Sequence, residues 1–417
     1  MLINYCRNKH RKREMIMAEH INIEDTIPVG PLGLIVHESC KDLGAKIDKK
    51  LVAYRKNQNL KHRDTSAFFG YERDSYILDC EWPRFGTGEG RSILRDTSRG
   101  MDIYILADVC NHSNSFKVNG FVHYMSPDDI YMDIKRAIAS IGGKAHRITV
   151  VMPFLYESRQ HKRTMRESLD CAMALEELAD MGVNDVITFD AHDPKVQNSI
   201  PLCGFDNFTP PYEFISSLIH YERDLIIDKD HLVVISPDEG ALDRAVYFAG
   251  VLGVNTGMFY KRRDYTKVIN GKNPIVAHEF LGDEIDGKDV IIIDDMISSG
   301  GSMLDTAKQL KAMNAKRVYI CCTFGLFTEG ISMFDTAYDE CVFDKIICTN
   351  LAYHDPLINS RPYFIEADMS EFLATVVDYM NHDIAMSKVH TNTEKIQEVL
   401  RRYNKRLEVE FLADDNA

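Results

Sequence analysis

The 417-residue sequence has a single tryptophan and little basic charge: Lys and Arg total 49 against 63 Asp and Glu, a formal net charge of −14. A general nucleic-acid binder needs a basic footprint, so that class is excluded. Long apolar runs are also missing. A membrane span needs about 18 apolar residues, and the runs here, such as Val290-Ile291-Ile292-Ile293, which ends in aspartates, are strand-sized. None of the ten cysteines forms a CxxC pair, so no thiolate zinc site is expected. Scattered thiols in a long acidic chain fit a reduced, cytoplasmic setting. The stretch Met1 to Arg13 is basic and polar and lacks the apolar core of a secretory signal; Met15 or Met17 is an alternative start.

What is present is an ordinary globular mix, 45% apolar and 27% charged. It has apolar material for two cores, and at about 150 residues per domain the length predicts two or three domains. Short β-branched runs without period-two alternation read as strands buried on both sheet faces: Asp102–Leu106, Arg147–Val151, Asp185–Phe189, His231–Ile235, Asp289–Ile293 and Arg317–Ile320. Helical patterns lie between them. Ser126 caps a helix to Ile141, and others cover Arg166–Met181, Leu242–Leu252 and Leu304–Met313. Strand and helix alternate twice, which means α/β with parallel sheets in tandem. Phe205–Pro211 reads as the connecting loop, Tyr212–Tyr221 as a connecting helix, and Thr393–Leu407 as a terminal helix packed on the body or on a partner. The expected division is an N-terminal extension 1–30, domains 31–205 and 206–385, and a helical tail 386–417.

The segment with the most chemistry runs from Val290 through Asp294-Asp295 into Ser298-Ser299-Gly300-Gly301-Ser302. A buried strand ends in two acids, followed by a small-residue turn and a helix. The amides of such a turn, with a helix N-terminus behind them, form an anion site. Paired carboxylates at the strand end suit sugar hydroxyls or a metal's water shell. Together they fit a ribose that carries a phosphate.

This segment resembles the phosphoribosyl-binding loop of type I phosphoribosyltransferase folds, and further motifs, in the same order, resemble the ribose-phosphate pyrophosphokinases, or phosphoribosyl diphosphate (PRPP) synthetases. The resemblance spans about Trp82 to Ala352. Val234-Ile235-Ser236-Pro237-Asp238-Glu239-Gly240 resembles the family's VSPD-G segment and implies Asp238 as a magnesium ligand; taken alone, it also reads as a turn with a capping aspartate. Asp190-Ala191-His192 resembles the family's Asp-Leu-His and implies His192 at the metal, directly or through water. Lys261 and Arg263 match the Lys-x-Arg of the loop over the active site and are implied as catalytic cations. Arg159-Gln160, within Met152 to Arg163, match the ARQ of a strand-plus-loop that contacts ATP. Phe85-Gly86-Thr87-Gly88-Glu89 is similar to the nucleotide-binding FSDGE loop, with Phe85 stacking on adenine, Thr87 and Gly88 completing the turn and Glu89 accepting from a base amine. In the family that loop reaches the site from a neighbouring subunit.

The sequence also departs from the family pattern. Thr87 and Ser298 stand where the family has Asp, and Asp193 where a small residue is usual. A polar stretch at Arg55–Asp64 and the tail after Ala385 read as additions. The resemblance implies two tandem type I phosphoribosyltransferase-like domains, each a mainly parallel sheet flanked by helices. It implies transfer of a diphosphoryl group from ATP to ribose 5-phosphate, Mg²⁺ as cofactor, and a homo-oligomer, dimer or hexamer. Asp294 and Asp295 would hold the ribose hydroxyls, and Ser298, Ser299, Gly300, Gly301 and Ser302 the 5-phosphate. Two alternatives stay open: a non-catalytic regulatory homologue, and a phosphoribosyltransferase that consumes PRPP.

Overall fold

The computed structural model describes residues 23–263, 275–390 and 392–414, with the side chains of 261–263, 275–278, 388, 390 and 408–414 excepted. The alternative starts at Met15 and Met17, and most of the expected extension 1–30, lie outside the described residues. The chain divides into two compact units. The first comprises the residues up to Thr188, Asp193–Phe208 and Ser370–His390; the second comprises Phe189–His192, Thr209–Met369 and the chain from Thr391.

The first unit holds a five-stranded sheet in the order β1 (Leu32–Val36), β2 (Asp102–Leu106), β3 (Arg147–Val151), β4 (Asp185–Phe189) and β5 (Gly204–Phe208). The pairs β1–β2, β2–β3 and β3–β4 are parallel. Every residue of β2 is buried, which is why its sequence shows no alternation. Around the sheet lie α1 (Lys41–Asn57), α2 (Pro127–Ile141) and α3 (Asp170–Asp180). The cap expected at Ser126 is a full capping box: its side chain accepts the Asp129 amide, and Asp129 accepts the Ser126 amide. Helix α3 starts later than the expected Arg166. Glu167 accepts the Thr164 amide at 3.2 Å and Ser168 donates to Asp170 at 2.5 Å, local bonds that compete with a first helical turn.

The second unit holds seven strands: β6 (Leu232–Ser236), β7 (Asn255–Arg263), β8 (Ile275–Leu281), β9 (Asp289–Ile297), β10 (Val318–Gly325), β11 (Lys345–Thr349) and β12 (Phe364–Ala367). Their order across the sheet is β8-β7-β6-β9-β10-β11-β12, parallel except for the antiparallel pair β7–β8. Helices α4 (Pro211–Tyr221), α5 (Leu242–Leu252), α6 (Gly301–Ala312) and α7 (Ser332–Asp339) complete the unit. The C-terminal helix Thr393–Asp414 packs on the body of this unit. Ile396 and Leu400 join the core of Phe214, Leu218 and Phe248, and Tyr403 donates to the carbonyls of Glu222 and Leu225 at 2.9 Å.

The tandem architecture is repeated in its electrostatics. In the first unit Arg147 holds Asp102 with two bonds of 2.9 and 2.8 Å. In the second, Arg317 holds Asp289 with two bonds of 2.8 and 2.6 Å. Each aspartate opens a central strand and each arginine sits at the start of the next parallel strand, so paired charges seal the amino ends of both sheets.

Two expectations are corrected, and one segment read as an addition is found to be anchored. Phe205–Pro211, expected as a loop, contains the edge strand β5; pairing beside β4 overrides a sequence that lacks β-branched residues. The polar stretch Arg55–Asp64 begins with a buried residue. Arg55 is wholly buried in α1, donates to Asp378 at 2.9 Å and Asn381 at 2.7 Å, and lies over the rings of Tyr71 and Tyr76. Both acceptors sit on the helix Ser370–Asn381, so that segment groups with the first unit and not with the second domain expected to run to 385.

Asp378→Ala should therefore lower stability by about 3–5 kcal/mol, because it strands a buried guanidinium. A fall in the urea midpoint of the first unit's transition, absent for the exposed control Asp74→Ala, is the expected result.

Candidate active site

Parallel register places the carboxyl ends of neighbouring strands side by side, where ligands of open α/β sheets bind. In the second unit Val234 pairs with Ile291, and Ile291 with Tyr319. The turn after β6, the end of β9 and the end of β10 therefore share one edge. The short segment Phe189–His192 belongs to the same unit.

Three acids meet there around one cation, and a fourth, Asp238, lies near Asp294. Arg244, in the first turn of α5, donates to both oxygens of Asp190 at 2.6–3.0 Å and lies 3.6 Å from Asp294. Thr323 donates to Asp190 at 2.7 Å. These bonds hold Asp190 at φ 43°, a left-handed conformation that is costly outside glycine, asparagine and aspartate. His192 Nδ1 is 2.8 Å from Asp295 Oδ2. Burial pushes the Asp295 carboxyl up, but the His192 bond and the Arg244 charge outweigh it and hold it below the ordinary carboxylate range. Burial, then the adjacent Asp295 charge and that of Asp238, push Asp294 up against the pull of Arg244. The pair thus splits into an anchored carboxylate and one that retains its proton more readily.

Asp238 follows β6 and accepts the Gly240 amide at 3.0 Å. It is the capping aspartate of the alternative reading, and it also lies close enough to Asp294 to raise it. Among the described residues no group of three or more His, Cys, Asp or Glu side chains is arranged to hold a metal. His192 meets Asp295.

The turn Ser298–Ser302 leads from β9 into α6. Its carbonyls are braced from the loop after β10: Leu326 N–H donates to Ile297 O at 2.9 Å and Thr328 N–H to Ser298 O at 3.0 Å. Gly300 caps α6 at φ 92°, and a Cβ there would sit 2.1 Å from the Phe334 ring. Gly301 has no positive φ and open space around its missing Cβ. Gly300 is thus the glycine the fold requires. The first amides of α6 have no intrahelical acceptor and point out of the helix start, as an anion site needs.

The remaining expected residues lie elsewhere. In the first unit, Phe85–Glu89 form a turn closed by Phe85 N–H to Glu89 O and Gly88 N–H to Phe85 O, both 2.8 Å. Thr87 donates to Glu89 at 2.8 Å, and Phe85 is more than half exposed. Arg159 and Gln160 lie in a loop after β3, where Gln160 donates to Ser168 O at 2.8 Å. The backbone of Lys261 and Arg263 ends β7, opposite His278 and Ile275 of β8; their side chains lie outside the described residues. Sequence reasoning missed Arg244 and Thr323. The signal for Arg244 was slight, one cation beside Asp243 at the start of a mostly apolar α5.

Residues 32–182 match the N-terminal domain of ribose phosphate pyrophosphokinase, and residues 213–346 match the phosphoribosyl transferase domain. The ribose-phosphate pyrophosphokinase of Staphylococcus haemolyticus is 31% identical over 58% of this chain and 69% of its own. The chain belongs to the ribose-phosphate pyrophosphokinase family. A Thermosipho africanus ribose-phosphate pyrophosphokinase is 29% identical over 78% of this chain and 94% of its own. The crystal structure of phosphoribosylpyrophosphate synthetase from Mycobacterium smegmatis shares the fold, with a TM-score of 0.66 at 21% identity over 85% of this chain and 99% of that one. The phosphoribosyltransferase-type α/β fold expected from the sequence is therefore the fold of this family member. Among the described residues no helix is long and apolar enough to cross a membrane.

Two predictions follow from this geometry. Gly300→Ala should destabilise the second unit by about 2 kcal/mol or more, through a strained φ and a clash with Phe334, while Gly301→Ala changes stability by less than about 0.5 kcal/mol. Urea unfolding of both variants checks the contrast. Asp294→Asn should stabilise the protein at pH 8. The native carboxyl is raised, so the folded wild type loses stability as pH rises from the ordinary carboxylate pKa of about 4 towards the raised one; the amide removes that loss. The gain should be about 1 kcal/mol or more at pH 8 and should vanish below about pH 4, as read from urea midpoints across that range.

Proposed function

We propose that this family member transfers the β,γ-diphosphoryl group of ATP to the 1-hydroxyl of ribose 5-phosphate, giving PRPP and AMP for nucleotide biosynthesis. The observation that carries the reading is the end of β9: Asp294 and Asp295 lead directly into a braced small-residue turn capped by Gly300 at the start of α6. That sequence of groups suits a sugar with a phosphate at its end. Asp295, held ionised by His192 and Arg244, accepts from one ribose hydroxyl. Asp294, which keeps a proton more readily, exchanges bonds with the other. Ser298, Ser299, Gly300, Gly301 and Ser302 receive the 5-phosphate with backbone amides and neutral hydroxyls, which hold an anion without a competing carboxylate.

ATP would contact Phe85, Thr87, Gly88, Glu89, Arg159 and Gln160. Mg²⁺ keeps several waters and usually takes one or two carboxylates plus substrate phosphates. Asp238, an anionic oxygen among other oxygen donors, fits that ligand set, and His192, with Nδ1 engaged by Asp295, would act through its other nitrogen or a water. The ion when bound would neutralise polyphosphate charge. The transfer needs no protein nucleophile; alignment and charge do the chemistry. Lys261 and Arg263 would stabilise charge on the β- and γ-phosphates as the bond to the leaving AMP loosens. A cytoplasmic homo-oligomer belongs to the same proposal.

A coupled assay for AMP from ATP and ribose 5-phosphate tests the reading, and no AMP above background would sink it. Lys261→Ala and Arg263→Ala should each lower kcat by about two to three orders of magnitude and change KM for ribose 5-phosphate little. Asp238→Asn should raise the Mg²⁺ concentration needed for half-maximal rate, and Ser298→Asp should change KM for ribose 5-phosphate by less than about tenfold.

A further inference from the structure

Beside the Phe85–Glu89 loop, within the first unit, lies an open surface groove of about 720 Å³ lined by Phe85, Gly86, Thr87, Glu89, Lys117 and Asn119. Its size is that of a small-molecule site. One wall is the loop. The other is an antiparallel hairpin, Ser115–Val118 paired with Phe121–Tyr124. The hairpin is fixed to the loop at three points. Asn119 N–H donates to Gly86 O at 3.0 Å. Val118 packs so closely that a Cβ on Gly88 would meet it at 3.1 Å. The Arg84 guanidinium lies 4.8 Å over the Phe116 ring. These contacts tie the pocket walls together through backbone as well as side chains.

The lining groups have a definite pattern. Phe85 is 53% exposed and offers a ring for stacking, with Arg91 5.5 Å from its centroid. Glu89 is the acceptor, and one of its oxygens, Oε2, already receives the Thr87 hydroxyl at 2.8 Å. The Lys117 ammonium and the Asn119 amide are the donors. A flat ligand that presents one donor beside one acceptor satisfies this set. Adenine does so with its exocyclic amine next to a ring nitrogen. Guanine offers the same pair in N1–H beside O6 but adds its N2 amine as a second adjacent donor, which calls for the second oxygen of the carboxylate.

We infer that Thr87 and Lys117 set the base selectivity of this pocket: Thr87 occupies one oxygen of Glu89, leaving one for the adenine amine, and Lys117 donates to the adjoining ring nitrogen. The hairpin is then part of the nucleotide site. This deepens, and rests on, the reading of Phe85–Glu89 as the ATP loop.

The test uses the full chain with Lys117→Met and Thr87→Val; both positions are exposed, so folding should not be at issue. Steady-state rates with ATP and GTP are compared, and ADP and GDP binding is measured by calorimetry. Lys117→Met should raise KM for ATP about tenfold and leave KM for ribose 5-phosphate within about twofold. Thr87→Val should raise the relative use of GTP by about tenfold, since it frees the second Glu89 oxygen. If the wild type makes AMP and both variants keep its ATP KM and its ATP-to-GTP ratio, the pocket assignment is overturned while the proposed reaction stands. If the wild type makes no AMP, the proposed reaction fails and calorimetry decides the pocket. A preference for ADP over GDP that weakens in both variants supports the assignment; no preference, or one the variants leave intact, overturns it.

Discussion

The candidate active site depends on one guanidinium placed among carboxylates. Asp190, Asp238 and the pair Asp294-Asp295 come from three different strands, and bringing them together out of water is unfavourable unless charge is balanced or a proton is kept. Arg244 does the balancing. Its planar fork takes both oxygens of Asp190 and leaves a further nitrogen toward Asp294, a geometry a lysine point charge would not reproduce. Because Arg244 sits in the first turn of α5, the packing of that helix on the sheet sets where the charge lies.

The consequence is an asymmetric acid pair. Asp295 is tied to His192 and remains ionised, while Asp294 faces the residual negative field. Adjacent residues in sequence thus have different chemistry, decided by partners 50 or more positions away in the chain. The neighbouring turn carries the opposite preference. It presents amides and hydroxyls without charge, and it is stiffened by the carbonyl bracing of Ile297 and Ser298 and by Phe334 against Gly300. Carboxylates next to uncharged amides and hydroxyls is a division that follows from strand end and helix start being consecutive.

The first unit solves a different problem. Its loop Phe85–Glu89 is short and exposed, and a turn of that kind has little intrinsic rigidity. Backbone closure, the Thr87–Glu89 bond and the supporting hairpin supply it. Below the loop, Asp133 accepts from Arg84, and its carbonyl accepts from Trp82 at 3.1 Å, so the only tryptophan of the chain buttresses the approach to this loop.

Much of this was legible in the sequence. Uninterrupted β-branched runs identified the central strands, since burial on both faces removes alternation, and Ser126 with Asp129 marked a helix start through local bonding alone. The Asp294-Asp295 and Ser298–Ser302 run stood out as a strand-end acid pair leading into a small-residue turn because its groups are contiguous. The tertiary structure decided what contiguity cannot carry. It made β5 a strand by giving it a neighbour, and it buried Arg55, at the head of the polar stretch, through Asp378 and Asn381. It selected Gly300 over Gly301 through a ring 34 residues away, and it placed Lys117 and Asn119 against Glu89. Each is a long-range contact, and a contact between distant residues leaves no period or spacing in the chain from which it could be read.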